Sequence, residues 1–190
     1  TSDFGSENVL FSFNQMFFYN VIDNPVLLSI DQNNWWSYTN SPGQVHSRGF
    51  ESQIKLTLWW FTWFFGYTYT DAYLDDAGLQ QTLVLMPEHS IKGDLLFVVD
   101  DKWRIGWDYE YKSRQRLTNG SYSRDLFTTG IIVVRTLGNF VIFLNAENFT
   151  DVRQSRYEST LTSPYGTPQF ADVWAPLDGF FFNAGLKIKL

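Results

Sequence analysis

Cysteine is absent from the 190 residues, so neither a disulfide scaffold nor a thiolate metal site is available. Histidine occurs twice, at His46 and His89, and neither stands at a ligand spacing from the other or from a carboxylate; no metal site and no cofactor follow. Cations are outnumbered, with 14 Lys and Arg against 20 Asp and Glu, and the resulting charge of -6 has the wrong sign for a nucleic-acid surface. No apolar run reaches the roughly 20 residues of a membrane helix. The longest, 56–67, is broken by Thr57, Thr62 and Gly66 and consists of strand formers. The polar start at Thr1 carries no export-signal pattern, so a mature form or a segment is expected.

What the chain has in excess is aromatic rings. Phe 18, Tyr 10 and Trp 8 make 19% of it, more than a soluble core of this size uses, while mean hydropathy stays at -0.20. A strand with one face in hydrocarbon and the other in water reconciles the two, because its average is polar although half its side chains are not. The pattern agrees. Phe61, Trp63, Phe65, Tyr67 and Tyr69 alternate with Thr62, Phe64, Gly66, Thr68 and Thr70, and Trp103, Ile105, Trp107, Tyr109 and Tyr111 alternate with Arg104, Gly106, Asp108, Glu110 and Lys112. The same period of two runs through 50–58, 90–97, 127–134, 140–149 and 182–190, and 9–20 with 25–30 reads as one further pair bent at Asp23, Asn24 and Pro25.

This predicts about nine strands of about ten residues each, the length a tilted strand needs to cross a bilayer. Bends near Asp23, Trp60, Asp100 and Gly138 are short; 31–47, 71–87, 117–125 and 150–178 are long and polar or carry glycine and proline. Short turns at one end and long loops at the other is the layout of an all-β, antiparallel transmembrane β-barrel with extracellular loops and a periplasmic C-terminus. Trp59, Trp60, Trp63, Tyr67, Tyr69, Trp103, Tyr109 and Tyr111 gather at strand ends, where amphipathic rings form girdles at headgroup level in outer-membrane lipid. The rival is a soluble β-sandwich whose rings fill its core, but sandwich strands are usually shorter.

Several stretches resemble the last strands of TonB-dependent receptors of the outer membrane: Phe65-Gly66-Tyr67-Thr68-Tyr69-Thr70-Asp71-Ala72, Pro87-Glu88-His89, Asn145-Ala146-Glu147-Asn148-Phe149-Thr150-Asp151, and Asp178-Gly179 followed by Asn183-Ala184-Gly185-Leu186. Arg48-Gly49-Phe50-Glu51 is similar to an upstream strand start in that family. The resemblance spans 48–190, and Phe180, Glu88 and Leu190 depart from the family's usual arginine, basic residue and terminal phenylalanine. It implies a barrel of about twenty-two strands, an N-terminal plug inside it, and coupling to TonB through a short box upstream. Neither plug nor box is in these residues, and an odd strand count does not suit a closed single-chain barrel. The expectation is therefore one barrel segment of a larger receptor that takes up a scarce nutrient, an iron chelate, a vitamin or a glycan. A stand-alone small barrel, or a structural envelope subunit without transport, is the alternative.

Two sets of residues are candidates for function. The charged members of the polar face, Glu51, Lys55, Lys92, Asp94, Arg104, Asp108, Glu110, Lys112, Arg114 and Glu147, are expected to face the lumen, lining a path or holding the wall by cross-strand pairing. Rings in the loops, Trp35, Trp36, Tyr38, Tyr122, Tyr165 and Trp174, stand among Asn, Asp and Arg and suit a sugar or an aromatic chelate, or else pack the loops together. Apolar Val134, Val141 and Phe181 on the same polar face call for a plug, loop or partner chain to cover them. His89 has Ser90 and Asp94 nearby, but a triad is defined by geometry, and no catalysis is expected. Asp75-Asp76 reads as a solvated loop rather than a calcium site.

Overall fold

The computed structural model describes residues 2–6, 9–30, 35–163, 166 and 168–189. In chain order its strands are β1 (Ser2–Ser6), β2 (Val9–Asp23), β3 (Val26–Ile30), β4 (Trp36–Asn40), β5 (Gln44–Leu58), β6 (Phe61–Asp76), β7 (Leu79–Thr82), β8 (His89–Val99), β9 (Trp103–Lys112), β10 (Leu126–Leu137), β11 (Phe140–Glu147), β12 (Leu161–Thr162), β13 (Gln169–Phe170) and β14 (Phe181–Ile188). One antiparallel sheet follows the order β1-β2-β5-β6-β8-β9-β10-β11-β14, with β7 added beside β6, and it does not close on itself. The turns at Trp59-Trp60, 100–102 and Gly138-Asn139 lie at one end; the connections 24–43, 77–88, 113–125 and 148–180 lie at the other. Gly138 takes φ +57, the left-handed conformation that a tight hairpin requires.

The first pair departs from expectation. β2 hydrogen-bonds to β5 in the register Val9↔Leu58 to Asp23↔Gln44, whereas β3 pairs with β4. Asp23 thus stands at the long-loop end, and the segment expected to return beside β2 forms a small hairpin inside a loop. Sequence proximity favoured the wrong partner because residues 26–30 alternate as well as a wall strand does. At five residues they are too short to cross a bilayer, which takes about 9–11.

The register assembles two continuous faces. Trp107 stands beside Leu95 and Ile131, Tyr111 beside Ile91 and Phe127, Phe65 beside Ile54, and Leu144 beside Val133 and Ala184. On the opposite face Glu110 stands beside Lys92 and Thr128, Thr68 beside Glu51, and Asn145 beside Asn183. The aromatic face is bare: Phe17 is 77% exposed, Leu186 60% and Phe182 55%. A water-soluble protein does not present so extensive an apolar sheet, and in hydrocarbon it is the expected exterior.

Polar atoms on that face are paired with one another, as a medium without water requires. Trp63 Nε1 donates to Tyr109 Oη at 3.0 Å, and Trp107 Nε1 donates to Thr129 Oγ1 at 2.5 Å, which itself donates to Asp108 O at 2.7 Å. Ser52 Oγ donates to Gln15 Oε1 at 2.6 Å, and Tyr67 Oη lies 2.9 Å from His89 Nδ1. The Trp63–Tyr109 bond bridges β8 above Gly93, where any Cβ would strike the Tyr109 ring. Such a ring laid over a glycine pins the register of both neighbours.

Replacing Trp107 or Tyr67 by Lys is expected to cost about 2 to 4 kcal/mol of folding stability in lipid, against far less for Thr68→Lys or Asp108→Lys on the opposite face. Urea titration in lipid vesicles measures both, and equal costs would remove the lipid assignment.

Candidate functional site: the polar face and the loop cluster

Alternation along β5, β8, β9 and β11 brings Glu51, Lys55, Lys92, Asp94, Arg104, Asp108, Glu110, Lys112 and Glu147 to one face. Arg114 does not join them. It lies beyond the end of β9, its amide donates to Asp125 Oδ1 at 2.8 Å, and its guanidinium covers the Tyr122 ring at 5.3 Å. The ladder divides by charge partner. Glu110 receives Lys92 and Lys112, each at 3.2 Å, while Lys55 lies over the Phe64 ring at 5.2 Å. Asp94 stands directly opposite Asp108, and Glu147 occupies the same transverse row beyond Gly130. Among the described residues these three carboxylates form no ion pair. Facing like charges destabilise a bare sheet, so the row favours a cationic group from outside it.

His89 belongs to the aromatic face, whereas Ser90 and Asp94 belong to the polar one, so the sheet itself separates that trio. Asp75 Oδ1 accepts Gly78 N at 3.0 Å and serves as a turn residue. Apolar Val134, Val141 and Phe181 do fall on the polar face, joined there by Ile132, Phe143 and Leu96.

Where the polar face meets the connection 148–180, a cavity of about 900 Å³ is lined by Asp108, Asn145, Glu147, Asp178 and Phe180. Its rim is clamped. Asn148 Oδ1 accepts Val152 N at 3.0 Å and its Nδ2 donates to Val152 O at 2.7 Å, while Asp151 Oδ1 accepts Phe180 N at 3.0 Å. Arg153 and Arg156 also pair with Asp151, and a Cβ at Gly179 would overlap the Asp151 carboxylate. Asn148 and Asp151 both take positive φ, a conformation these two residue types tolerate better than most. In the sequence this motif is legible only as a resemblance; the signal for its role is the Asn and Asp three apart, matched to a distant glycine.

The loop rings have different fates. Trp35 and Tyr38 are 73% and 76% exposed on the β3–β4 hairpin, and Tyr122 is exposed beneath Arg114. Trp174 is buried, with Nε1 donating to Glu158 Oε1 and its ring 5.8 Å from that of Tyr157, so it packs the loop. Tyr165 lies outside the described residues, as does the side chain of Trp36.

The Phe180 amide holds the Asp151 carboxyl below its usual value, helped by Arg153 and Arg156 and opposed by partial desolvation. A depressed pKa means the clamp's contribution is complete above the unfolded value and is lost as pH falls through the folded one. In an NMR titration the Phe180 amide shift is expected to move with a midpoint below the roughly 3.9 of a free aspartate. Asp151→Asn should abolish the transition, and a midpoint at or above the free value would contradict the clamp.

Solved structures with a similar fold include the siderophore receptor PirA from Acinetobacter baumannii, with TM-score 0.64 and 18% identity over 98% of this chain and 30% of that one. Another is the ferric-catecholate import receptor Fiu from E. coli K12, with TM-score 0.62 and 14% identity over 95% and 25%. A third is the FrpB iron transporter from Neisseria meningitidis, with TM-score 0.62 and 14% identity over 97% and 29%. The chain thus spans between a quarter and a third of the length of these structures. No curated protein matches the sequence. The sequence model described as TonB dependent receptor-like, beta-barrel, matches residues 8–149. A single-layer antiparallel sheet with one face for lipid and one for water, matched by that model over most of its length, belongs to the β-barrel of the TonB-dependent receptors of the bacterial outer membrane.

Proposed function

We propose that this chain forms part of the barrel wall of a receptor that imports a scarce nutrient across the outer membrane, an iron chelate in the first instance and a vitamin or glycan otherwise. The observation that carries the reading is the separation of side chains by the register: rings and aliphatics on one face, the charged ladder on the other. The long connections then face the cell exterior, the short turns and C-terminus face the periplasm, and the ladder lines the interior. Iron chelates take precedence because the similar structures include a siderophore receptor, a ferric-catecholate import receptor and an iron transporter.

The sheet's margin supports a larger assembly over a small stand-alone barrel. Among the described residues β14 pairs with β11 alone, so that margin of the sheet offers free backbone groups. Each such group costs several kcal/mol in hydrocarbon, so further strands must flank it. On the interior, a plug supplied by the rest of the receptor meets the apolar group around Val134, Val141 and Phe143 and offers cations to Asp94, Asp108 and Glu147. Energy from TonB enters through that part. The exposed rings Trp35, Tyr38 and Tyr122 are the ligand contacts nearest to hand, with Trp36 and Tyr165 as companions; Trp174 serves them by holding its loop in shape.

A Gram-negative host lacking its own siderophore receptors, given the full-length gene, tests the reading. Growth on ferric catecholates is expected with TonB and none without it. Growth on vitamin or glycan alone would move the substrate, and TonB-independent permeation would refute energised uptake. Trp35→Ala with Tyr38→Ala should weaken ligand binding about tenfold or more without changing barrel stability.

A further inference from the structure

The connection 113–125 is a hairpin in its own right. Arg116 pairs with Tyr122 in an antiparallel bridge, Ser123 N donates to Gln115 O at 2.8 Å and Leu117 N to Ser121 O at 2.8 Å, so the register sets Arg114 across from Arg124. Alternation sorts its side chains as it does those of the wall. Gln115, Leu117 and Ser123 turn inward and are buried, whereas on the other side Arg114, Tyr122 and Arg124 are exposed and Arg116 is half-buried.

Two of these guanidinium groups lie on rings. Arg114 covers Tyr122 at 5.3 Å, and Arg124 covers Tyr157, on the connection 148–180, at 5.3 Å. Arg116 donates from Nη1 to Thr82 O at 2.9 Å. Among the described residues none of the three arginines forms an ion pair. Carboxylates of the same two connections are engaged by neutral donors instead. Asp125 accepts Arg114 N at 2.8 Å and Tyr111 Oη at 3.0 Å, and Asp172 accepts Thr118 N and Oγ1 at 2.6 and 2.8 Å. Glu158 accepts Nε2 of Gln154 at 2.9 Å. Gln154 is 0% exposed, donates also to Asp172 O at 2.6 Å and accepts Trp174 N at 3.0 Å, so it fixes the loop that carries Tyr157.

Like charges directly opposite one another destabilise a strand pair that has nothing to neutralise them. A guanidinium laid flat on a ring has already given up part of its freedom, yet its N–H edge stays available for a planar oxyanion, which it binds in bidentate fashion. We propose that Arg114, Arg116 and Arg124, with the rings of Tyr122 and Tyr157, form a binding site for a molecule that carries several acidic oxygens, carboxylate or phosphate. Three cations on one small face call for a polyvalent ligand, and each ring adds apolar contact beside its guanidinium. That the molecule is the imported nutrient rests on the receptor reading; the anion site does not.

Calorimetric titration of the full-length protein in lipid nanodiscs, free of iron, tests this with inorganic pyrophosphate and with tricarballylate. Saturable binding that weakens as salt rises is expected, with the tighter probe naming the oxyanion, and none for the uncharged trimethyl ester of tricarballylate. Arg114→Gln and Arg124→Gln should each weaken binding about tenfold, and Arg135→Gln, at the opposite end of the sheet, should leave it unchanged. If a glutamine variant loses the hairpin, the ring resonances of Tyr122 and Tyr157 in the unaltered protein decide, since they shift on titration only when the anion sits beside them. Failure of both anions to bind, equal affinity for the ester, unchanged affinity in both glutamine variants, or unmoved tyrosine resonances would overturn the proposal. No iron or TonB enters the measurement, so its failure and a failure of the uptake experiment are read separately.

Discussion

A backbone that crosses hydrocarbon finds no water for its N–H and C=O groups, and everything else in this chain follows from that demand. The sheet answers it strand by strand, with β2, β5, β6, β8, β9, β10, β11 and β14 each hydrogen-bonded in continuous register. Once the ladder bonds are made, the side chains stand alternately on two sides of one layer. Among the described residues there is no buried centre of the ordinary kind: Val45 and Ala72 are the buried apolar side chains of the strands apart from Leu126, which belongs to the loop cluster. Lipid does for the aromatic face what a second layer does in a soluble protein.

The same demand explains the polar atoms scattered among the rings. Thr129 on the lipid side accepts from Trp107 and donates to Asp108 O, leaving neither the indole N–H nor the hydroxyl unpaired. Gln15 and Ser52 satisfy each other across β2 and β5. Near the short turns, Arg135 covers the Trp103 ring at 4.2 Å, placing a cation and an indole where headgroups begin. At the opposite end Arg48 pairs with Asp71 at 2.8 Å and His46 stacks on Tyr73, which marks the other boundary of the apolar band.

The loop end follows different physics, because water is present there and the long ladders of the wall give way to the short pairs β3–β4, β6–β7 and β12–β13. Its order comes from a satellite core and from side chains that imitate backbone partners: Asn148 for Val152, Asp172 for Thr118, Gln154 for Trp174. These groups link residues up to 54 positions apart, so the clamp around Gly179 and the Gln154 hub could not be read from spacing. Trp174, legible only as a ring in a polar loop, proves to be the interior of that core. Arg114, legible as the next rung after Lys112, leaves the ladder because the strand ends before it.

The order of residues alone specified the wall strands β2, β5, β6, β8, β9, β10, β11 and β14, their two faces and the turns at Trp60, Asp100 and Gly138, since period-two alternation and turn chemistry are local properties of a few consecutive side chains, whereas β1 and the short loop strands β4, β7, β12 and β13 carry too few residues to show it. It also specified which charges share a face, because parity is preserved along a strand whatever strand lies beside it. Partner choice was decided in three dimensions: β2 beside β5 with the β3–β4 hairpin set aside, and Asp94 facing Asp108 without a cation between them. The shape of the loop end was decided there too, since hydrogen bonds and burial between distant segments depend on where the folded wall has already placed their ends.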